Sequence, residues 1–551
     1  MNSRLSHSWA PSPSWLRFLV IVLLLLGVFF RFVNLDRKVY WFDETFTSLR
    51  ISGYTETEAI ENVCDGREIG IEDLQKYQRI TPAKTWKDTI NSLVVEDPQH
   101  PPLYYLMARF WVQWFGSSVA VTRSLSVLIS LLVFPCIYWL CIELFQFSLV
   151  AWVAIALLAV SPFHVLYAQE ARQYGLWTVI ILLSSATLLR AMRLKTKLSW
   201  GIYAATVVIG LYTFLFSGLV TIAHGIYVFT TAKLRFTKMV IAYLLAVLAG
   251  LLAFTPWILV IMTKSTQLHK ATSWTYELRY SLLQMIKQWV LNLSYFFVDF
   301  DYDLQRVYDG SISKLMVRIL IPFILILVGY SIYFLCRKAQ KQAWLFVLTL
   351  IGATALPLAI PDIILGGART QVPRYLIPAF LGIQLAVSYL LATQITSTYV
   401  SVYVSVNIWR QKFWQFVMIG LLSVGVISCV VMSQAESWWS KDLNIYTPQV
   451  ARIISQASQP LLITSCQGIW PLGDELSLSY LLAPKVRLQL VKEPNLPKIS
   501  NRFSDVFLYN PNHNPPLQIL FEQIEKELKY KFENVSPDQL KLLRLVPILR
   551  N

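Results

Sequence analysis

The sequence predicts a mostly α, polytopic membrane protein: a helical bundle of about eleven spans followed by a small C-terminal α/β domain on the extracytoplasmic side. Three observations predict it. Hydrophobic residues make up 55% of the 551 and charged residues only 15%, where a soluble chain carries about 25% charged. Stretches of roughly 20 apolar residues, the length that crosses a bilayer, recur between residues 15 and 433. Beyond Trp439 these long stretches give way to short apolar runs set among polar residues.

Taken in order, the apolar stretches are 15–33, 120–142, 149–168, 172–191, 199–216, 217–232, 239–262, 315–336, 343–360, 375–396 and 413–433. Between 199–216 and 217–232 the only break is Gly218. The first stretch reads as a retained anchor helix, because no small-x-small cleavage site follows it. Basic residues in short loops set the orientation. Arg190, Arg193, Lys195 and Lys197 fall on one side, with Lys233, Arg235 and Lys238, with Arg337, Lys338 and Lys341, and with Arg410 and Lys412. These four loops agree on a cytoplasmic N-terminus in a plasma or inner membrane; the loop at 143–148 has no basic residue and is silent. Much of the net charge of +16 is therefore topology rather than nucleic-acid binding.

The opposite side receives residues 34–119, residues 263–314 and the tail from 434. Residues 102–115 are apolar but short for a crossing, and counting them as one reverses every later loop. They read as an amphipathic helix on the outer surface, with Tyr104, Tyr105, Trp111 and Trp114 at the interface. Domain boundaries follow: a membrane domain over 1–435 that includes both large outer loops, and a small domain over 436–551. In that domain Pro460–Ser465 and Asp505–Tyr509 read as buried strands, and Leu517, Leu520, Phe521, Ile524 and Leu528 mark one face of a helix over 517–530. Cys136, Cys141, Cys336 and Cys429 lie in spans as apolar filler. Cys64 and Cys466 both face outward, and the sequence leaves their pairing open.

Four polar clusters gather on the outer side. Asp43 and Glu44 follow the first span in Trp41-Phe42-Asp43-Glu44. Carboxylates at a membrane surface take protons, grip cations or orient hydroxyls; the alternative is that they favour the start of a helix at Thr45–Ile51. His100 lies in Glu96-Asp97-Pro98-Gln99-His100-Pro101-Pro102-Leu103, where the prolines stiffen the backbone and Asp97 is near in sequence; taken alone, this is a loop-to-helix junction. Glu170 and Arg172 lie in Tyr167-Ala168-Gln169-Glu170-Ala171-Arg172-Gln173-Tyr174, suited to a phosphate or sugar, or to pairing at the interface. Arg374 and Tyr375 lie in Pro373-Arg374-Tyr375-Leu376-Ile377-Pro378, where a guanidinium fork matches phosphate oxygens or snorkels. His269 in the second outer loop reads as surface, and there is no nucleophilic triad, Walker loop or HExxH zinc motif.

Acids after the first span, His-Pro-Pro-Leu before a surface helix, Gln-Glu-Ala-Arg-x-Tyr and Pro-Arg-Tyr-Leu-x-Pro occur in this order over about residues 15–435. The set resembles the family 39 glycosyltransferases and their bacterial relatives, integral membrane enzymes of the GT-C fold that include protein O-mannosyltransferases and lipid A aminoarabinose transferases. The resemblance implies transfer of a hexosyl or pentosyl unit from a polyprenyl-phosphate carrier to an acceptor hydroxyl of a protein, lipid or polysaccharide. It implies that Asp43 is the catalytic acid of the first outer loop. It also implies that Arg374 holds the lipid phosphate, and that Glu44, His100, Glu170, Arg172 and Tyr375 contribute to substrate binding. Some relatives bind a divalent metal ion near the site and others need none, so the cofactor stays open.

The reading is a membrane glycosyltransferase that inverts the anomeric centre, with the lipid bilayer and a polyprenyl-phosphate sugar as partners and no nucleic acid. The alternative is a lipid-linked sugar transporter or flippase, which calls for polar groups near the midplane that these spans nearly lack.

Overall fold

The computed structural model describes residues 14–301, 311–396 (311–317 by backbone alone), 408–466, 468–492, 497, 499–509, 524–535 and 540–548. It divides into two compact units. One comprises Met1–Val33, Gln99–Leu103 and Ser126–Ser433; the other comprises Asn34–Pro98, Tyr104–Leu125 and Gln434–Asn551.

The first unit is the membrane bundle. Among the described residues eight helices are long and apolar enough to cross a bilayer, nine if the bent pair Ser148–Ala159 and Pro162–Ala168 is one span. The expected count was about eleven, and the two further stretches, 199–216 and 217–232, form helices of their own. The helices Lys197–Thr213 and Ser217–Thr231 have only 17 and 15 residues. At about 1.5 Å per residue each falls short of a core about 30 Å thick. Because they are consecutive, the side on which the chain emerges is the same whether both cross or neither does. The Arg193 guanidinium pairs with Glu143 at 2.8 Å. That contact brings the 143–148 loop, silent in the charge pattern, to the same end as the basic loop 190–197.

The bent pair turns by 62° at a break that is capped from the first span. Arg31, fully buried, donates from Nη1 to the carbonyl of Ala159 at 2.9 Å and from Nη2 to that of Leu158 at 3.1 Å. Those carbonyls end a helix and lack partners of its own. Gly27 makes the approach possible, since a Cβ there would meet the Ala159 carbonyl oxygen at 2.5 Å.

The second unit is built round a six-stranded sheet. Its strands are β1 (Glu68–Gly70), β2 (Pro460–Ser465), β3 (Arg487–Val491), β4 (Asp505–Tyr509), β5 (Tyr530–Asn534) and β6 (Leu542–Pro547), in the order β1-β3-β2-β4-β6-β5. β2 pairs in parallel with β3 and β4, and the remaining pairings are antiparallel. β2 is buried throughout, as expected of a central strand covered on both faces. Its side chains alternate: Leu461 and Ile463 enter a core with Leu508 and Leu545, while Leu462 enters a larger one with Leu488 and Phe507.

The larger core does not close on tail residues alone. Phe42, Phe46, Leu49, Ala59, Val63 and Leu74 of the first outer loop fill it beside Leu472 and Leu476. β1 comes from the same loop, and Cys64 and Cys466, 402 residues apart, form a disulfide with a Cα–Cα distance of 6.0 Å. The boundary expected at 435/436 therefore differs from the observed one, because loop and tail share one hydrophobic core. Both predicted strands are present as β2 and β4. Of the helix predicted over 517–530, residues 517–523 lie outside the described residues, 524–527 are helical, and Tyr530 already begins β5.

The predicted surface helix is Leu103–Phe115. Its aromatics divide otherwise than expected: Tyr104 and Tyr105 are buried, whereas Phe110, Trp114 and Phe115 are exposed. Apolar periodicity identifies the stripe but not which edge of it meets the core.

Candidate active site

In the second unit the acid pair opens the helix Phe42–Ile51. Carboxylates in a first turn face the positive end of the helix dipole. The two acids differ in access. Asp43 is half-buried, while Glu44 is completely buried. Arg123 grips Glu44 with both arms of its fork, Nε to Oε1 at 2.8 Å and Nη2 to Oε2 at 2.6 Å. Lys441, from the tail, donates to Glu44 Oε2 at 3.3 Å and lies 5.0 Å from the centre of the Trp41 ring. Arg123 also donates to the carbonyls of Leu35, Lys38 and Val39 at 2.6, 2.9 and 2.9 Å, which ties down the segment entering the helix. Glu44 is thus buried between two cations. Tyr40, 2% exposed and bonded to Ser48 at 2.6 Å, is pushed well above the ordinary tyrosine pKa, first by burial and then by Tyr480 and Glu44.

Asp97, read as a neighbour for His100, is held by Arg50 Nε at 2.5 Å, and Glu96 pairs with the same guanidinium. Glu96 further accepts from the backbone N–H groups of Glu56 and Thr57 at 2.6 and 3.1 Å. The cluster pushes the Glu56 carboxyl up to about 7, chiefly by burial, then by the charge of Glu96.

In the membrane unit, His100 meets the Gln-Glu-Ala-Arg-x-Tyr turn. Its Nε2 lies 3.3 Å from Arg172 Nη2, and its Nδ1 lies 3.3 Å from the Gln173 side-chain amide. A guanidinium only donates, so Nε2 is the acceptor. The neutral imidazole then carries its proton on Nδ1 and donates it to the Gln173 amide oxygen; amide oxygen and nitrogen are exchangeable assignments. The turn itself is anchored to the first span, since Gln169 Nε2 donates to the carbonyls of Phe30 and Val33, both at 2.9 Å. Glu170 and Arg172 are 0% and 5% exposed.

Arg374 joins this cluster through an aromatic ring. The Tyr174 centroid lies 5.4 Å from the Arg374 guanidinium and 5.9 Å from that of Arg172. Arg374 also lies within electrostatic reach of the Tyr167 hydroxyl, as does Glu170. Tyr375 packs on Phe216 and Phe214, with ring centres 5.1 and 6.1 Å away. His100, Glu170, Arg172, Arg374 and Tyr375 thus belong to the membrane unit, and Asp43 and Glu44 to the other. His269 is exposed against Tyr276, as expected of a surface residue.

The turn bearing Arg374 depends on residues that no motif marked. Asp362, fully buried, accepts from the Thr370 backbone N–H at 2.7 Å, from the Thr370 hydroxyl at 2.8 Å and from Arg369 at 2.8 Å. Asn292 donates to the carbonyls of Thr370 and Gln371 at 3.3 Å. Gly367, at φ +144°, leaves room for this clamp, because a Cβ would meet Asp362 Oδ1 at 2.6 Å. Asp362 lies in the apolar helix Lys341–Leu365, and a carboxylate there was the available signal; Asn292, in the outer loop 263–314, offered none. Among the described residues, no group of three or more His, Cys, Asp or Glu side chains is arranged to hold a metal ion.

Residues 99–260 match the family described as dolichyl-phosphate-mannose-protein mannosyltransferase. The matched stretch contains His100–Leu103 and Gln169–Tyr174, two of the four polar clusters, and agrees with the family resemblance of the motifs. No curated protein matches the chain. Among solved structures, the chain is similar to ArnT from Cupriavidus metallidurans bound to undecaprenyl phosphate, at 12% identity and a TM-score of 0.47, covering 97% of this chain and 98% of that one. It is also similar to the oligosaccharyltransferase of Archaeoglobus fulgidus, at 11% identity and a TM-score of 0.49, over 86% of this chain and 65% of that one. A third is the arabinofuranosyltransferase AftD from Mycobacteria, at 14% identity and a TM-score of 0.43, over 87% and 33%.

Proposed function

We propose that this protein transfers a sugar from a polyprenyl-phosphate carrier to an acceptor hydroxyl on the extracytoplasmic side of the membrane, with inversion. The observation that carries the reading is the pair of guanidiniums, Arg172 and Arg374, flanking Tyr174 on a turn covered by the family match. In the proposed step the Asp43 carboxylate takes the proton of the acceptor hydroxyl. The acceptor oxygen bonds to the anomeric carbon as the bond from that carbon to the phosphate oxygen breaks. Polyprenyl phosphate leaves with the electron pair, and Arg374 and Arg172 stabilise its growing charge. His100 and Gln173 orient Arg172, and Glu170 completes the polar lining. The disulfide between Cys64 and Cys466 supports an oxidising outer compartment for the unit that bears Asp43, and with it a cytoplasmic N-terminus.

Against a flippase stands the state of one buried histidine of the bundle. His224 has one ring nitrogen 3.2 Å from the Ser185 hydroxyl and the other 3.2 Å from the Tyr203 hydroxyl, a closed network rather than a polar path. The test is release of polyprenyl phosphate from a panel of polyprenyl-phosphate sugars by the purified protein. Asp43→Asn keeps the shape and loses the base, so turnover falls by roughly 100-fold or more while donor binding persists. Release by Asp43→Asn at the parent's rate overturns the assignment of the base.

A further inference from the structure

The acid helix is inserted into the tail. Its N-cap residue, Trp41, makes no side-chain cap. The cap comes from 402 residues away: the Phe42 backbone N–H donates to Asn444 Oδ1 at 2.7 Å. Asn444 is fully buried, and its other arm, Nδ2, donates to Asp474 Oδ1 at 3.0 Å. A backbone N–H on one side and a carboxylate on the other settle which way the amide points. Behind the bridge the Ile469–Ser479 helix packs on the acid helix at closest range. The Phe42 ring stacks on Trp470 with centroids 5.0 Å apart, and a Cβ on Gly473 would come within 2.3 Å of the Phe42 ring. Lys441, 1% exposed, reaches Glu44 from the same tail.

We infer that the tail carries positioning residues for the acid pair, Asn444 through the Phe42 N–H and Lys441 through Glu44, with Asp474 fixing Asn444. The inference rests on the proposed role of Asp43 and deepens it. The tail completes the catalytic loop itself, whatever acceptor it meets. A carboxylate that must take a proton along one direction loses rate when its helix start can rock, because misplacement of the order of 1 Å costs about 100-fold. Asn444 supplies the missing cap, and Lys441 closes the side of Glu44 that Arg123 leaves open.

The test exchanges partners across the bridge. Asn444→Leu removes the acceptor for the Phe42 N–H, and Lys441→Met removes the tail's hold on Glu44. Each is expected to lower turnover by about tenfold or more, with donor KM within about twofold of the parent. Amide hydrogen exchange over residues 42–46 is expected to accelerate by about tenfold, while that over 174–194 stays as in the parent. Asn444→Asp alone keeps an acceptor for the Phe42 N–H but loses the amide donor to Asp474, and is expected to fall between the parent and Asn444→Leu. The double variant Asn444→Asp/Asp474→Asn keeps an acceptor for the Phe42 N–H and restores the hydrogen bond between positions 444 and 474 with its polarity exchanged, and is expected to recover at least about half of parental turnover and the slow exchange. Arg452→Met, which removes an exposed pair with Glu436 elsewhere in the tail, leaves both readouts unchanged. An intact Cys64–Cys466 disulfide confirms that each variant is folded. Unchanged exchange over 42–46 in Asn444→Leu, or parental turnover in both single variants, overturns the inference, as does failure of the double variant to recover. If the parent releases no polyprenyl phosphate from any donor, the proposed function falls, and the exchange measurements still decide whether the tail holds the acid helix.

Discussion

Glu44→Gln separates the roles of two adjacent carboxylates by stability rather than by rate. Glu44 is fully buried between Arg123 and Lys441, each 1% exposed in its side chain. Gln keeps the shape and one acceptor oxygen but leaves two buried cations without their anion. Breaking a buried ion pair by removing one partner costs about 3–5 kcal/mol, and two stranded cations argue for the upper end. For a unit of about 200 residues, each kcal/mol moves Tm by about 2–4 °C, so a fall of roughly 6–20 °C is expected. Asp43→Asn, at the half-buried neighbouring position, is expected to lower Tm by less than Glu44→Gln does. Adding Lys441→Met to Glu44→Gln removes one stranded cation and recovers about 1–3 kcal/mol. The assay is thermal unfolding of the detergent-purified protein followed by tryptophan fluorescence. Trp41 and Trp470 lie against the acid helix and report on this unit. A Tm for Glu44→Gln within about 2 °C of the parent refutes the argument that Glu44 is the buried anchor of the pair.

Three further outcomes follow from the geometry. Arg374→Lys keeps the charge and loses the planar fork, so donor KM rises by about tenfold; equal KM makes Arg374 an interfacial anchor only. Burial raises the carboxyls of Asp474 and Glu475 to about 8 and that of Glu56 to about 7. The folded state therefore holds protons that the unfolded chain releases from about pH 4 upward, and stability is full below that pH and declines as pH rises to about 8. Glu475→Gln removes one titrating group and flattens that decline, giving a higher Tm than the parent at pH 8 and none of that advantage at pH 4; a parallel pair of curves refutes it. A cysteine placed at Lys270 is labelled from outside an intact cell and one at Lys195 is not; labelling at Lys195 reverses the proposed orientation.

Most of the bundle was legible because membrane spans are long and repetitive, and a 20-residue apolar run has few other uses in this composition. The pair at 199–232 was legible as two stretches parted near Gly218, although hydropathy marks apolar residues and says little about where a helix stops. Phe214 breaks into extended backbone there, and the two helices come out short. Motif residues such as His100, Arg172 and Arg374 were legible because polar groups beside apolar runs need a reason. Their supports were not. Arg123, Lys441 and Asn444 each act on Phe42 or Glu44 across 79 to 402 residues, and no local pattern announces a partner at that separation. Phe42 and Phe46 are core of a sheet domain whose other strands begin at residue 460, a setting that no local pattern announces.

That separation has a consequence for how the unit is assembled. Among the described residues β1 of the first loop pairs with β3 alone, at Arg487–Val491, and the acid helix fills a core that also needs Leu462 and Leu476. Contacts so distant in sequence form late, because loop closure must precede any gain from them. The Asp43–Glu44 helix is 10 residues long, below the length at which an isolated helix holds in water, and its cap is Asn444. Until the tail has been made and brought to the loop, the Phe42 N–H lacks Asn444 and Glu44 lacks Lys441. The acid that takes the proton in the proposed reaction is therefore fixed only when the chain is nearly complete, and the Cys64–Cys466 bond, closing between the same two segments, keeps them joined afterwards.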